Sequence, residues 1–265
     1  LADRIGIEGV NAKTFHKFGK DIIVEVEAKQ PSIFDEAQFE PLLSRFFTEL
    51  SRNTSGLQKI TEYFINFLKP TKSKFEFSSQ GDYIQYLKDH NFRTYKRKKV
   101  QVKGKMTYRM EVVKSVEECE IANFLLFNGV DYEYEYPYEY VKADKEFRQY
   151  KPDFTVIQNG KKVYIEHFGI SRSGNVPNWF TGDNARTASK KYLKGMKWKR
   201  SAHKRNGTTL IESYSYEMSE GVLFENLTKN MNAAGIILNP KSPEEIWKII
   251  NEAAKEEVNS FITLL

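Results

Sequence analysis

Asp153-Phe-Thr-Val-Ile-Gln158-Asn159-Gly160-Lys161-Lys-Val-Tyr-Ile-Glu166-His167-Phe168 is the stretch whose reading decides the fold. Two runs with residue-by-residue alternation flank Asn159-Gly160, a pair that favours a two-residue hairpin turn because both turn positions take positive φ. With those two residues as the loop, Gln158 faces Lys161 and, counting outward, Asp153 faces Glu166. Directly opposed side chains have Cβ atoms about 4.5–5.5 Å apart, so two carboxylates in this register repel each other. The other face of the hairpin carries Phe154, Val156, Val163 and Ile165, which is a core face. Two acids converging at the end of a buried hairpin are costly unless a cation joins them. A divalent metal with oxygen ligands meets that need.

Outward from the hairpin, the element order is that of a mixed α/β (α+β) fold. Ser115-Val-Glu-Glu118 is a capping box, followed by Ile121, Ala122 and Leu125 at helical spacing and by Gly129 as a stop. Residues 131–141 alternate aromatic and acidic side chains and are expected to form a strand. Strands at 153–157 and 161–168, a helix at 184–205 and a strand at 208–214 complete the series. The order is helix, three strands, helix, strand. Helices are expected again at 221–231 and 242–264.

The preceding part, residues 1–93, reads as mainly helical. Thr14 caps a helix through Val24, Ser32 or Asp35 caps one through about Leu50, and a third runs from about Leu57 to Leu68, closed by Pro70. Residues 94–113 alternate around Lys103-Gly104 and read as a basic hairpin. The expected organisation is therefore a helical part at 1–93, a basic hairpin or linker at 94–112, the acid-bearing domain at 113–232 and a helical return at 233–265.

Composition narrows the class. Hydrophobic content of 40% with 29% charged residues fits a globular chain, and no apolar run approaches the roughly 20 residues of a membrane span. The start, Leu-Ala-Asp-Arg-Ile-Gly-Ile-Glu, has no apolar signal core and no Met, as expected for a piece of a longer protein. One cysteine, Cys119, excludes an internal disulfide framework and fits a reducing cytoplasm. His16, His90, His167 and His203 are too scattered for a zinc site. A net charge of +6 favours an anionic partner, and its distribution is more telling. Lys96, Arg97, Lys98, Lys99, Lys103, Lys105 and Arg109 are interleaved with Tyr95 and Tyr108, a pattern that binds phosphates while rings stack on bases.

Glu118 is the expected third metal ligand. It precedes Ile121, Ala122 and Leu125 by three, four and seven residues and so shares their sheet-facing side. A purely structural role, completing the capping box at Ser115, is the alternative, and Glu117 on a neighbouring face is the fallback ligand. Glu135 on the preceding strand is also within reach of such a site, although the Tyr-Glu alternation around it reads as a solvated strand face.

Lys151-Pro152-Asp153-Phe154 followed by Tyr164-Ile165-Glu166-His167-Phe168-Gly169, on this element order, resembles the PD-(D/E)XK nucleases. The resemblance implies a restriction-endonuclease-like αβββαβ core. It further implies that Glu118, Asp153 and Glu166 bind one or two Mg2+ (or Mn2+) ions that activate water against a phosphodiester, with the backbone carbonyl of His167 joining the metal shell. The family's lysine falls two residues after the second acid, where this chain has Phe168. Lys199 is the expected replacement, because Tyr192, Met196, Lys199 and His203 lie on one face of the helix at 184–205. Lys151, opposite Phe168, is the other candidate. A lysine here orients the attacking water or stabilises the charge of the pentavalent phosphate.

Val10-Asn-Ala-Lys-Thr14-Phe15-His16-Lys-Phe-Gly19 resembles a segment of UvrD/Rep-type superfamily 1 DNA helicases that lies near the single-stranded DNA path, which implies DNA contacts for Thr14 and His16. Residues 113–227 also resemble an insertion in helicase IV-like members. The implied partners are DNA and the helicase motor domains, with ATP bound only by the full-length parent. No G-x-x-x-x-G-K-[ST] phosphate loop occurs in the sequence, and Asp35-Glu36-Ala37-Gln38 reads as a first helical turn rather than a Walker B box. A DNA-gripping insertion without catalysis is the alternative that Phe168 suggests.

Overall fold

The computed structural model describes residues 13–30, 41–42, 45–46, 49–50, 52–66, 72–89, 105–141, 149–179 and 185–253. The chain divides into two compact units, Leu1–Leu50 with Asn259–Leu265, and Ser51–Val258. The expected boundaries at 93, 112 and 232 all fall within the larger unit. Among the described residues no helix is long and apolar enough to cross a membrane.

In the smaller unit, helix α1 (Phe15–Glu27) starts where extended Thr14 accepts a hydrogen bond from the Lys17 amide at 3.2 Å. It ends at Ala28, which turns left-handed at φ 51°. The expected cap is in place, and Thr14 and His16 are both exposed. Residues 41, 42, 45, 46, 49 and 50 are helical, as expected, while the proposed caps at Ser32 and Asp35 lie outside the described residues.

The larger unit opens with α2 (Thr54–Asn66), whose first turn is held by Asn53 Oδ1 accepting from the Ser55 and Gly56 amides. A 3-10 turn at Lys74–Glu76 and α3 (Gln80–Asp89) follow. Strands β1 (Lys105–Met106) and β2 (Val112–Val113) form a short antiparallel ladder. That ladder turns over Thr107–Glu111, with Met110 at φ 63°, whereas the expected turn at Lys103-Gly104 lies outside the described residues. Helix α4 (Val116–Phe127) begins at Ser115, whose hydroxyl accepts from the Glu118 amide at 3.0 Å, and the chain leaves it through Gly129 at φ 64°.

Then come β3 (Tyr132–Tyr134), β4 (Phe154–Gln158), β5 (Lys161–Phe168), α5 (Ala185–Arg205) and β6 (Thr209–Tyr214). The expected order of helix, three strands, helix and strand is present. One strand is shorter than expected, because Glu135 turns left-handed at φ 49° and ends β3, where a strand over 131–141 was expected. Its amide donates to the Asp153 carbonyl, and the chain beyond it turns inward to bury Tyr138 against Tyr150 and Tyr164. Helices α6 (Ser215–Ser219), α7 (Leu223–Ala233) and α8 (Pro243–Ala253) close the unit, and α8 packs against α2, burying Ile250, Leu57 and Ile60.

The four-stranded sheet runs β3-β4-β5-β6, with β3, β4 and β5 antiparallel and β6 parallel to β5. Asn159 (φ 52°) and Gly160 (φ 74°) form the β4–β5 turn with both residues left-handed, as a type I′ turn requires. The register is the expected one: Gln158 pairs with Lys161 and Phe154 with Ile165, which sets Asp153 opposite Glu166. Because side chains alternate along a strand, the sheet has two distinct faces. Phe154, Val156, Val163, Ile165 and Ile211 pack against Ile121, Ala122 and Leu125 of α4 and Leu223, Leu227 and Met231 of α7. Phe168 on the opposite face packs against Ala188 and Met196 of α5. The result is a mixed α/β fold with helices on both faces of one sheet.

Candidate functional site

Strand alternation splits the site between these two faces at two consecutive residues. Glu166 points toward α5 and His167 toward α4, each gathering its own set of partners.

On the α5 face Glu166 is completely buried. Its Oε1 accepts from the Tyr150 hydroxyl at 2.7 Å, and its Oε2 receives the ammonium of Lys199. That ammonium also lies 5.7 Å from the Tyr150 ring centroid and 5.5 Å from that of Phe168. Lys199 thus arrives from the helix onto the site as its place in the helical stripe led us to expect. Lys151, the other candidate, is exposed.

Asp153, directly across the ladder, is half-buried, and its Oδ2 accepts from the His167 amide at 2.7 Å. Burial, together with the neighbouring charges of Glu166 and Glu118, raises the Asp153 carboxyl well above its ordinary range, against the opposing pull of Lys199. Burial also raises Glu166, and Lys199 offsets part of that rise. Lys199 is therefore one cation set against two desolvated acids. Among the described residues no cation pairs directly with Asp153.

Behind Glu166 runs a directional chain of hydrogen bonds. Tyr150 must donate to the carboxylate, so it accepts from His203 Nε2 (3.0 Å). The other ring nitrogen, Nδ1, then accepts from Thr208 (2.8 Å), which in turn accepts from Tyr138 (2.7 Å). This fixes the tautomer of a neutral His203, and burial with the Lys199 charge pushes its pKa down to about 4. Burial, then the Glu166 charge, raises the Tyr150 hydroxyl, which stays protonated.

On the α4 face Glu117 is the more deeply buried of the two adjacent acids. Its Oε2 meets Lys74 Nζ at 2.6 Å, Ser215 Oγ at 2.8 Å and His167 Nε2 at 3.1 Å. Burial alone raises this acid, but Lys74 and His167 outweigh it and hold Glu117 below the usual carboxylate range. His167 Nδ1 lies 3.0 Å from Ser213 Oγ. The imidazole is thereby clamped between Glu117 and Ser213, and its amide is aimed at Asp153. Gly169, just past β5, leaves room for Lys74, since a Cβ there would come within 3.0 Å of Nζ.

Glu118 lies at the rim. Its carboxylate accepts from the Lys114 amide (3.1 Å), Ser115 Oγ (3.0 Å) and the Tyr134 hydroxyl (2.5 Å), so only the Ser115 side-chain half of the expected capping box is made, the returning bonds going to the Lys114 amide and the Ser115 hydroxyl, while its charge still acts on Asp153. Glu135 pairs with Lys114. Among the described residues no group of three or more His, Cys, Asp or Glu side chains is arranged to hold a metal ion.

Of the expected nucleic-acid contacts, Lys96, Arg97, Lys98, Lys99 and Lys103 lie outside the described residues, and Lys105 stands on β1. Arg109 bonds inward, to the Tyr132 carbonyl at 2.6 Å and over the Tyr132 ring, while Tyr108 packs on Phe127. Sequence reasoning missed Tyr150, Lys74, Ser213 and Ser215. Tyr150 lies three residues before Asp153, but nothing local marks it as facing a partner on β5. No family model, no curated protein and no solved structure matches this chain.

Proposed function

We propose that this chain carries a metal-dependent deoxyribonuclease site, on a restriction-endonuclease-like αβββαβ core, that hydrolyses phosphodiesters at Asp153 and Glu166. The observation that carries the reading is a lysine from the crossover helix set on one of two opposed, desolvated carboxylates. Lys199 also stands over Phe168, the residue at the position where the resembled nucleases keep their lysine.

The donor set suits a hard divalent cation. Asp153 and Glu166 offer only oxygen, and burial beside one another raises both carboxyls even with the Lys199 ammonium present, so a further cation would favour their ionised forms. Mg2+ is commonly held by one or two carboxylates, with water and substrate phosphate filling the remaining positions, so a pair is sufficient. Bound there, Mg2+ or Mn2+ supplies a lowered pKa for water and neutralises phosphate oxygens. Glu118, at the rim, is the additional acid facing that charge. Tyr150 orients Glu166, the clamped His167 orients Asp153 through its amide, and Lys199 stabilises negative charge developing on the phosphate oxygens. Membership in a UvrD/Rep-type, helicase IV-like parent, with the motor and ATP site elsewhere and a cytoplasmic location, accompanies this proposal through the resemblance of residues 10–19 and 113–227.

The test is cleavage of end-labelled single- and double-stranded DNA across Mg2+ and Mn2+ concentrations. Activity that vanishes in Glu166→Ala, while DNA binding persists, supports the proposal. Absence of cleavage with either metal on every DNA form would overturn it. That outcome would favour a second reading, a DNA-gripping module without catalysis, for which Phe168 at the usual lysine position is the specific observation.

A further inference from the structure

The outer face of α5 is built unlike an ordinary solvated helix face. Residues 185–205 contain no acid, and Lys190, Lys191, Lys194, Lys197, Lys204 and Arg205 are all exposed. Among the described residues the α5 lysines and arginines with a carboxylate partner are Lys199 on Glu166 and Arg200 on Glu212. Like charges three or four residues apart on a helix destabilise it, as Lys190 with Lys194 and Lys194 with Lys197 do here. These six exposed cations, without a carboxylate partner among the described residues, wrap the side of α5 opposite Met196 and His203, and from Lys190 to Arg205 they extend over roughly 20 Å at about 1.5 Å per residue.

Trp198 sits among them. The residue is 39% exposed, and Lys191, Lys194 and Arg205 flank it at helical spacings of seven and four residues. An exposed indole surrounded by cations combines a stacking platform with a track for phosphates, the combination that grips unpaired strands. The Trp198 and Tyr150 rings lie nearly perpendicular with centroids 5.4 Å apart, and Tyr150 holds Glu166. The cation track and the carboxylate pair are thus separated by two side chains.

We propose that the outer face of α5 binds single-stranded DNA, with a base stacked on Trp198 and the backbone drawn along Lys190, Lys191, Lys194, Lys197 and Arg205, leading the strand to the carboxylate site. The choice of DNA rests on the nuclease reading above, whereas the choice of a single strand rests on Trp198. Base faces in a closed duplex are covered by stacking on their neighbours, whereas an unpaired base offers such a ring a whole face.

The experiment measures binding of fluorescent oligo(dT) by anisotropy in EDTA, so that cleavage plays no part, at several salt concentrations. Lys190→Ala/Lys194→Ala/Lys197→Ala flattens the slope of log affinity against log salt by about 2, at roughly 0.7 per lost phosphate contact. Trp198→Ala weakens binding roughly tenfold with the slope unchanged, and Trp198→Phe recovers most of it. Oligo(dT) also quenches Trp198 fluorescence in the unaltered protein. All of these variants keep Lys199 and Glu166, and with the metal chelated by EDTA the binding loss is read apart from cleavage. Variants that bind like the parent, or tighter binding of a blunt duplex or of oligo(rU) than of oligo(dT), would overturn the proposal. The expected binding losses in a protein that shows no cleavage with either Mg2+ or Mn2+ would leave this surface standing and remove only the nuclease reading.

Discussion

Lys199 on α5 and Glu166 on β5 form an ion pair in which the acid is wholly buried and the lysine side chain is 30% exposed. Removing the lysine leaves a carboxylate in a dry site, which costs about 3–5 kcal/mol for a buried pair, with the lower end expected for a partly exposed partner. Lys199→Met is therefore expected to lower the urea midpoint, and Lys199→Met/Glu166→Gln to recover most of that loss. Cleavage separates from stability here. It falls by about a hundredfold or more in Lys199→Met, as for loss of a group that stabilises transition-state charge, and the double variant does not restore it.

Asp153 has the opposite sign of pH dependence from an ordinary surface acid. Its carboxyl is raised in the fold, so its contribution to stability is complete below the unfolded value near 3.8 and is lost as pH rises through the folded value. Asp153→Asn keeps an oxygen for the His167 amide and removes the repulsion with Glu166. The variant is expected to melt higher than the parent at pH 7.5, by about 2–4 °C for each kcal/mol relieved, and the gap is expected to close toward pH 4. Mg2+ raises the melting temperature of the parent more than that of the variant. Differential scanning calorimetry at two pH values, with and without Mg2+, measures both effects.

Glu117 and Lys74 give the converse. Glu117 is held below the usual range, so its contribution is present above the unfolded value near 4.5 and is lost as pH falls through the folded value. Lys74→Met strands this acid beside His167 and is expected to destabilise by about 3–5 kcal/mol at pH 7. The penalty shrinks on acidification, as Glu117 takes up a proton. Chemical denaturation at pH 7 and pH 4 tests the trend, and a penalty that grows toward pH 4 would contradict the assigned pairing.

His203 is expected to titrate near pH 4, measured as the midpoint of its ring-proton shift by NMR. With a depressed folded value its stabilising contribution is present above about 6.5 and is lost as pH falls toward 4. Tyr150→Phe removes the acceptor of its Nε2 proton and the donor to Glu166 Oε1 at once, at about 1–3 kcal/mol for each lost bond, while Lys199 still holds Oε2. In that variant the His203 midpoint moves, while Thr208 and Tyr138 remain in place.

The sequence by itself determined the features that depend on neighbours along the chain. Asn159-Gly160 fixed the hairpin because a two-residue turn leaves one register, and that register opposed Asp153 to Glu166. Ser115 and Gly129 bounded α4, and helical periodicity placed Lys199 on the sheet-facing side of α5. Tertiary structure decided where spacing was degenerate. Glu117 and Glu118 both fit an inward face of α4, and Lys74, 43 residues earlier, selected Glu117 for the interior because a buried carboxylate needs a cation. The strand expected across 131–141 stops at Glu135, since burying Tyr138 against Tyr150 and Tyr164 outweighs continuing an alternating pattern at the sheet edge. The hydrogen-bond chain from Tyr138 through Thr208, His203 and Tyr150 to Glu166 had no local signature. Its members come from four separate segments, and only the packed fold brings their polar atoms within bonding distance.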